Sequence, residues 1–384
     1  MIYLDHNATS PLRPEAKAAM LRALDLGGNP SSVHAAGRAA RALLENARET
    51  VAVFAGTVPG EVIFTSGGAE SNALALRGAV AAAAESGDPV TRLLVQATAH
   101  DSVRTVAASL AEAIAGLELI EILVDANGRV DQAALRAELA SRNGRALVSL
   151  IYVNNETGVV EDIGSLVSLI RAEANALIHV DAVSSGTCPI RFAQWSTDYL
   201  SLSAHKLGGP QGVGALIAKE GAPLAPLFNG FQEMRRRSGT ENVSGIAGFG
   251  AAVQALEANR EEELACVTTI RSNFEDALNS FDAIIFGKGA ERAANTTCFA
   301  IPALSAETAL MALDLDGVCV SSGAACSSGK VGHSHVLKAM GVADDVARCA
   351  LRVSFGWNSR AEDADAAISS LGKLMARISA RKAA

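Results

Sequence analysis

The feature that most constrains this chain is an alternation that runs through its first two thirds. Short apolar runs, "EVIFTSGG", "TRLLVQATAH", "IEILVD", "ALVSLIYVNN", "LIHVDAV", are each followed by a longer segment with apolar residues at helical spacing. The stretches "ESNALALRGAVAAAAES", "SVRTVAASLAEAIAG", "DQAALRAELASR" and "IGSLVSLIRAEA" read as those helices. Two further strands, within "DYLSLSAHK" and "GVGALIAK", close the series. Strands that are apolar throughout, rather than every second residue, are buried on both faces. That predicts an α/β domain with a mainly parallel central sheet flanked by helices. After about residue 255 the texture changes. A long charged helix, "ALEANREEELACVTTIRSNFEDALNSF", leads to four short strand-like pieces and a closing helix. The expected division is a large domain over 14–255 and a smaller α+β domain over 1–13 and 256–384.

In open α/β sheets, ligands gather beyond the carboxyl ends of the strands. Polar residues collect there in "TSGGAES", "ATAHDS", "VNNETG" and "HVDAVS", and Lys206 of "SLSAHKLGGPQG" occupies the same kind of place. Asp181 alone could be a helix cap or a loop carboxylate, and Lys206 alone a solvated amine. Together, in this order on successive strand ends, they suit pyridoxal phosphate (PLP): a carboxylate for the pyridine nitrogen and an amine for a Schiff base. The strand–Gly-Gly–helix run at "FTSGGAES" offers backbone amides to a phosphate, although Gly-Gly also simply turns a chain. Ser203 and His205 flank the lysine and could reach that phosphate; strand alternation would point them away from Lys206 unless the strand has already ended. His100 could stack on a flat ring and shuttle protons, or be structural.

Six cysteines are scattered along the 384 residues with no C-x-x-C pair, which suits reduced thiols better than disulfides or a zinc site. Five are expected to be small buried hydrophobes. Cys326 differs: "SSGAACSSGKVGHSH" has few apolar side chains to bury it, so it reads as a nucleophile on an exposed loop. Arg352 sits in the apolar strand "LRVSFG" and needs a partner there, either a substrate carboxylate or an internal acid. A net charge of −8 argues against nucleic acid as the main partner, the lone basic run being "MRRRSG" at 234–239. No apolar run is long enough for a bilayer and the first residues lack a secretory pattern, so a cytoplasmic protein without a membrane or metal role is expected.

The chain resembles the cysteine desulfurases of the NifS/IscS type, PLP enzymes of the class V aminotransferase group. The likeness rests on "YLDHNATSPL", "GNPSSVHAAGRAAR", "FTSGGAESNALAL", "VNNETGVVEDI", "HVDAVSS", "SAHKLGGPQGVGAL", "RRRSGTENVSGI", "SSGAACSSG" and "LRVSFG", spread over nearly the whole chain. The resemblance implies release of sulfur from L-cysteine, giving L-alanine and a persulfide on Cys326 for a sulfur-acceptor protein: an iron–sulfur scaffold or another sulfur carrier. It assigns Lys206 to the Schiff base and Asp181 to the pyridine nitrogen. His100 would stack and act as acid and base. Asn155 would meet the phenolic oxygen or the substrate, and Arg352 the substrate carboxylate. Gly68, Ser203 and His205 would hold the phosphate, and Thr240 the phosphate of the other subunit, which implies a homodimer. Three positions depart from the pattern: Ala69 stands where threonine is usual, Ser184 where glutamine is usual, and Ala99 where glutamate is frequent. Selenocysteine lyase or another class V PLP activity is the alternative on this scaffold.

Overall fold

Alternate residues of the apolar runs go to opposite sides of one sheet, and each side has its own core. The computed structural model describes residues 1–140, 144–302, 304–323 and 334–383. Its strands, in chain order, are β1 (Ile2–Tyr3), β2 (Val62–Thr65), β3 (Val90–Gln96), β4 (Glu118–Ile122), β5 (Arg145–Ile151), β6 (Ala176–Asp181) and β7 (Tyr199–Ser203). There follow β8 (Gly214–Ala218), β9 (Ile284–Ile285), β10 (Thr296–Ala300), β11 (Val318–Cys319), β12 (Ser321–Ser322) and β13 (Ala350–Ser354). Seven form the main sheet, in the order β2-β8-β7-β6-β5-β3-β4. The five strands from β7 to β4 are parallel, while β8 is antiparallel to both β7 and β2. The strands β2, β3, β5, β6 and β7 therefore end at the same edge.

Leu147, Leu177, Tyr199 and Leu216 pack on one face with helices Gly68–Glu85 and Asp101–Ala113. Their neighbours Val148, Ile178, Leu200 and Ile217 pack on the other, with helices Ala35–Ala55, Ile163–Glu173 and the start of Val243–Leu278. Both faces are covered, as strands without alternation require. A four-stranded antiparallel sheet, β12-β13-β10-β9, lies over a third core built around Phe274, Phe299, Leu351 and Phe355. The chain start joins this region, because β1 pairs in parallel with β11.

Two expectations need correction. The long helix begins at Val243, not near 255, and so runs unbroken through that point. Its first turns, "VSGIAGFG", are glycine-rich because other elements lie against them: a Cβ on Gly250 would come within 2.8 Å of Ala47, and one on Gly248 within 2.6 Å of Met20. Nor are five cysteines buried. Cys188 and Cys298 are; Cys319 and Cys349 are half-buried and Cys266 is exposed. Cys326 lies outside the described residues.

The basic run at 234–239 is absorbed by structure. Arg236 donates to the Leu224 carbonyl at 2.6 Å, Arg237 pairs with Glu70 at 2.9 Å, and Arg235 stacks over Phe231. The preceding Glu233 is buried and pairs twice with Arg48 at 2.8 Å while accepting from the Phe64 amide at 2.7 Å. It anchors three successive non-glycine residues, Glu233, Met234 and Arg235, whose φ of 42°, 56° and 64° is otherwise unfavourable. Glu233→Ala leaves the Arg48 guanidinium buried against fewer partners, and denaturant unfolding is expected to show a loss of about 3–5 kcal/mol.

Glu161 is 3% exposed and accepts from the Val130 amide at 2.8 Å and from Gln96 Nε2 at 2.9 Å, tying the turn after β4 to the end of β3. Burial pushes its carboxyl from the ordinary 4.5 up to about 7. Between those values the folded chain keeps a proton that the unfolded chain has lost, so this residue lowers stability as pH rises through the window. Glu161→Gln keeps an acceptor and removes the titration. Its melting temperature relative to the parent is expected to be higher at about pH 8 than at about pH 5; an equal difference at both would contradict this assignment.

Candidate active site

The common edge of the parallel strands opens into a cavity of ≈ 300 Å³. Ten of the twelve candidate site residues line it: Gly68, Ala69, His100, Asn155, Asp181, Ser184, Ser203, His205, Lys206 and Arg352, while Ala99 beside His100 does not. Thr240 does not line it and is exposed, and Cys326 falls outside the described residues.

β2 stops at Thr65 and the chain turns through Gly67 into a helix that starts at Gly68. Glycine is required at 68 because a Cβ there would come within 2.6 Å of Val183. The first turn of that helix presents backbone amides to the cavity, a natural seat for an anion. Ser203 lines the same cavity, and its Oγ is buried without a hydrogen-bond partner among the described residues. An orphaned hydroxyl of this kind calls for a ligand atom to satisfy it.

Asp181 ends β6 and is 4% exposed. Its Oδ1 accepts from the Val183 amide at 3.0 Å and its Oδ2 from Asn72 Nδ2 at 2.9 Å. Asn72 also donates to Ser102 Oγ at 2.9 Å, so one amide group ties the Gly68 helix, the His100 turn and β6 together. β7 ends at Ser203, and Ala204–Lys206 is a 3-10 turn. Strand alternation therefore stops before the lysine, and Ser203, His205 and Lys206 all face one cavity. Lys206 Nζ donates to the Asn7 carbonyl. His205 Nδ1 meets Thr9 Oγ1 at 3.2 Å, and burial, with the Lys206 charge second, pulls its pKa down to about 4. It is neutral at neutral pH.

His100 is both structural and at the site. As the cap of helix Asp101–Ala113, its Nδ1 accepts from the Ser102 amide at 3.1 Å. That bond assigns the proton of the neutral ring to Nε2. Arg352, fully buried on β13, meets both possibilities raised by its sequence context. Nη2 pairs with Asp5 at 2.6 Å and Nη1 donates to the Asn155 carbonyl at 3.0 Å, yet Nε has no acceptor among the described residues and the residue lines the cavity.

Sequence reasoning missed Asp5, Asn7, Thr9 and Asn72. Asn7 donates to the Asn155 carbonyl at 3.0 Å and to Thr296 Oγ1 at 2.9 Å as well as receiving Lys206. The available signal was a polar run, "DHNATS", directly after apolar β1. Its residues His6, Asn7 and Ser10 are buried, as only a run with internal partners can be.

The residues present fit PLP: an amide-lined helix start and a bare hydroxyl for the phosphate, a hydrogen-bonded carboxylate for the pyridine nitrogen, and an amine for the aldehyde carbon. The comparisons agree. The family model for class V aminotransferases matches residues 2–367. A cysteine desulfurase of Cereibacter sphaeroides is 41% identical over 94% of this chain and 92% of its own. The crystal structure of a NifS-like protein from Rickettsia africae superposes with a TM-score of 0.87 at 32% identity, covering 98% of this chain and 99% of its own. A structure described as SspA in complex with cysteine gives 0.80 at 27% identity, over 93% of this chain and 99% of its own. With its lysine, carboxylate and phosphate seat on the strand ends that this architecture provides, the chain belongs to the PLP-dependent class V aminotransferase family, among its cysteine desulfurases.

Proposed function

We propose that this chain takes sulfur from L-cysteine with Cys326 as the acceptor thiol, and that the cavity residues divide the work as follows. The observation that carries this reading is one cavity lined by an amine, a carboxylate, an unpartnered hydroxyl and a guanidinium: Lys206, Asp181, Ser203 and Arg352. When bound, PLP supplies a protonated ring that draws electron density away from the substrate's Cα. Asp181 would hold the ring nitrogen. Ser203, His205 and the amides at the start of the Gly68 helix would hold the phosphate, and Asn155 the phenolic oxygen or the substrate. Ala69 and Ser184 supply less than the usual threonine and glutamine. One missing neutral hydrogen bond costs on the order of 1 kcal/mol, which loosens the cofactor without excluding it.

Lys206 would carry the α-proton off the substrate, and neutral His205 beside it adds no opposing charge. Arg352 Nε, buried without an acceptor among the described residues, would take the substrate carboxylate. His100, with Nδ1 engaged by its helix cap, would present Nε2 for proton exchange. The sulfur step balances without an external oxidant. The Cys326 thiolate forms an S–S bond to the substrate sulfur as the substrate's Cβ–S bond breaks. The electron pair stays on the carbon, and a proton completes the methyl group of L-alanine.

The wider reading follows the same chemistry. The persulfide passes to an acceptor protein for iron–sulfur or other sulfur-containing cofactors. Exposed Phe228, Phe231 and Met234, close in sequence to Thr240, favour a homodimer in which Thr240 reaches the partner's phosphate. The five described cysteines are unpaired, which favours the cytoplasm; among the described residues no helix is long and apolar enough to cross a membrane. Residues 14–255 would form the cofactor domain, with 1–13 and 256–384 as the smaller one.

Two outcomes are expected. Incubating the PLP-loaded protein with L-cysteine, without reductant, adds one sulfur to the peptide that contains Cys326. Cys326→Ala abolishes both this mass and alanine release. Sulfur on another cysteine, or turnover by Cys326→Ala, would overturn the assignment. Asn72→Ala removes a charge-assisted hydrogen bond to Asp181, and equilibrium dialysis of PLP is expected to show about tenfold weaker binding.

A further inference from the structure

A carboxylate taken out of water is costly unless hydrogen bonds replace its solvation. Glu156, next to Asn155 in "VNNETG", is 4% exposed and outside the roles described so far. Its Oε2 accepts from Ser334 Oγ. The same serine caps helix His335–Ala339, its oxygen accepting from the Leu337 amide at 3.0 Å. The next residue adds a second tie, since His335 Nε2 bonds the Ala99 carbonyl at 3.0 Å. The same helix buries Val336 and Leu337 beside Phe286, Cys298 and Ala300. The first two residues of this helix start are thus bonded to the loop that carries Asn155 and to the loop that carries His100. In sequence, Ser334 lies 8 positions (334 − 326) after Cys326.

We propose that Glu156 is a positioning residue for sulfur transfer, acting through Ser334 to hold the start of helix His335–Ala339 against the two active-site loops. The chain that bears the acceptor thiol is thereby tethered at a fixed point beside the cavity. Glu156 does not touch the reacting atoms; it limits where the thiol's own chain can go. This rests on Cys326 being the acceptor. A misplacement of about 1 Å at a reacting centre can slow chemistry by up to about a hundredfold, so the tether acts on the transfer step rather than on binding.

The test compares Glu156→Ala, Ser334→Ala, the double variant and Glu156→Gln as PLP-loaded proteins. Quenched single-turnover mass analysis is expected to show persulfide on Cys326 forming about tenfold more slowly in both single alanine variants. The double variant should be no slower than either, as for two ends of one bond. Glu156→Gln, which keeps an acceptor oxygen, should recover most of the rate. L-Alanine binding, read from the cofactor spectrum, should stay within about twofold of the parent in all four. In the PLP-free proteins, hydrogen exchange at residues 335–340 should quicken in the alanine variants only. Parental transfer rates in both alanine variants would overturn the proposal, and so would a glutamine variant as slow as alanine, or additive losses in the double variant. Should Glu156→Ala fail to fold, Ser334→Ala decides alone. Persulfide on another cysteine of the parent would sink the functional reading and this tether with it; persulfide on Cys326 with unchanged variant rates sinks the tether alone.

Discussion

The site depends on keeping a carboxylate in place at the end of a strand buried on both faces. Asp181 sits where β6 leaves the sheet, flanked by β5 and β7, with almost no solvent. Burial at that depth is tolerable only when donors stand in for water. The Val183 amide and Asn72 provide them, and Asn72 can do so because the Gly68 helix lies close to the strand end. That closeness requires glycine at 68, where Val183 leaves no room for a Cβ. The residues that fix the carboxylate also bring the helix start to the cavity, so one packing constraint sets the spacing between that helix start and the carboxylate.

A second layer of polar order lies beneath this edge. His179 precedes Asp181 by one strand period and is wholly buried, bonded to Ser149 and Ser201 at 2.9 Å on the neighbouring strands. Desolvation pulls its pKa down to about 4, so the row Ser149–His179–Ser201 is neutral and satisfied across three strands. A neutral, fully bonded row stiffens the base on which Asp181 stands without adding a charge that competes with it.

What the sequence could reveal follows from what each residue's partners are. Asp181, Lys206, Ser203 and His100 were legible because strand ends are legible: the apolar run stops and a polar residue follows. Asn72 was not, because it lies within a helix whose other residues suit a helix, and its partners are more than a hundred positions away in Asp181 and thirty away in Ser102. Asp5, Asn7 and Thr9 were hidden for the same reason, since Lys206, His205 and Arg352 are all distant in sequence. The early start of the Val243–Leu278 helix was hidden by its glycines. Glycine weakens an isolated helix, yet here it admits Ala47 and Met20 to the backbone, and packing outweighs propensity. The paired expectation at Arg352, acid or substrate, was framed as a choice, but a guanidinium has enough donors to keep an internal acid and still leave one nitrogen unsatisfied.

The two sheets contribute to the same cavity. The seven-stranded sheet supplies Asp181, Ser203 and Lys206, all on elements continuous with its strands. The four-stranded sheet supplies Arg352 on β13, and the N-terminal run supplies Asn7 and Ala8 after β1 has paired with β11. The joint between these sets is polar: the Asn155 carbonyl accepts from both Asn7 and Arg352, and Asn7 in turn accepts from Lys206. An apolar joint would fix the two sheets as firmly but would carry no information about the ligand. A joint made of Arg352, Asn155, Asn7 and Lys206 is built from residues that line the cavity itself. Each bond of the joint therefore also fixes part of the cavity wall, so the contact between the two sheets and the shape of the cavity are set by the same groups.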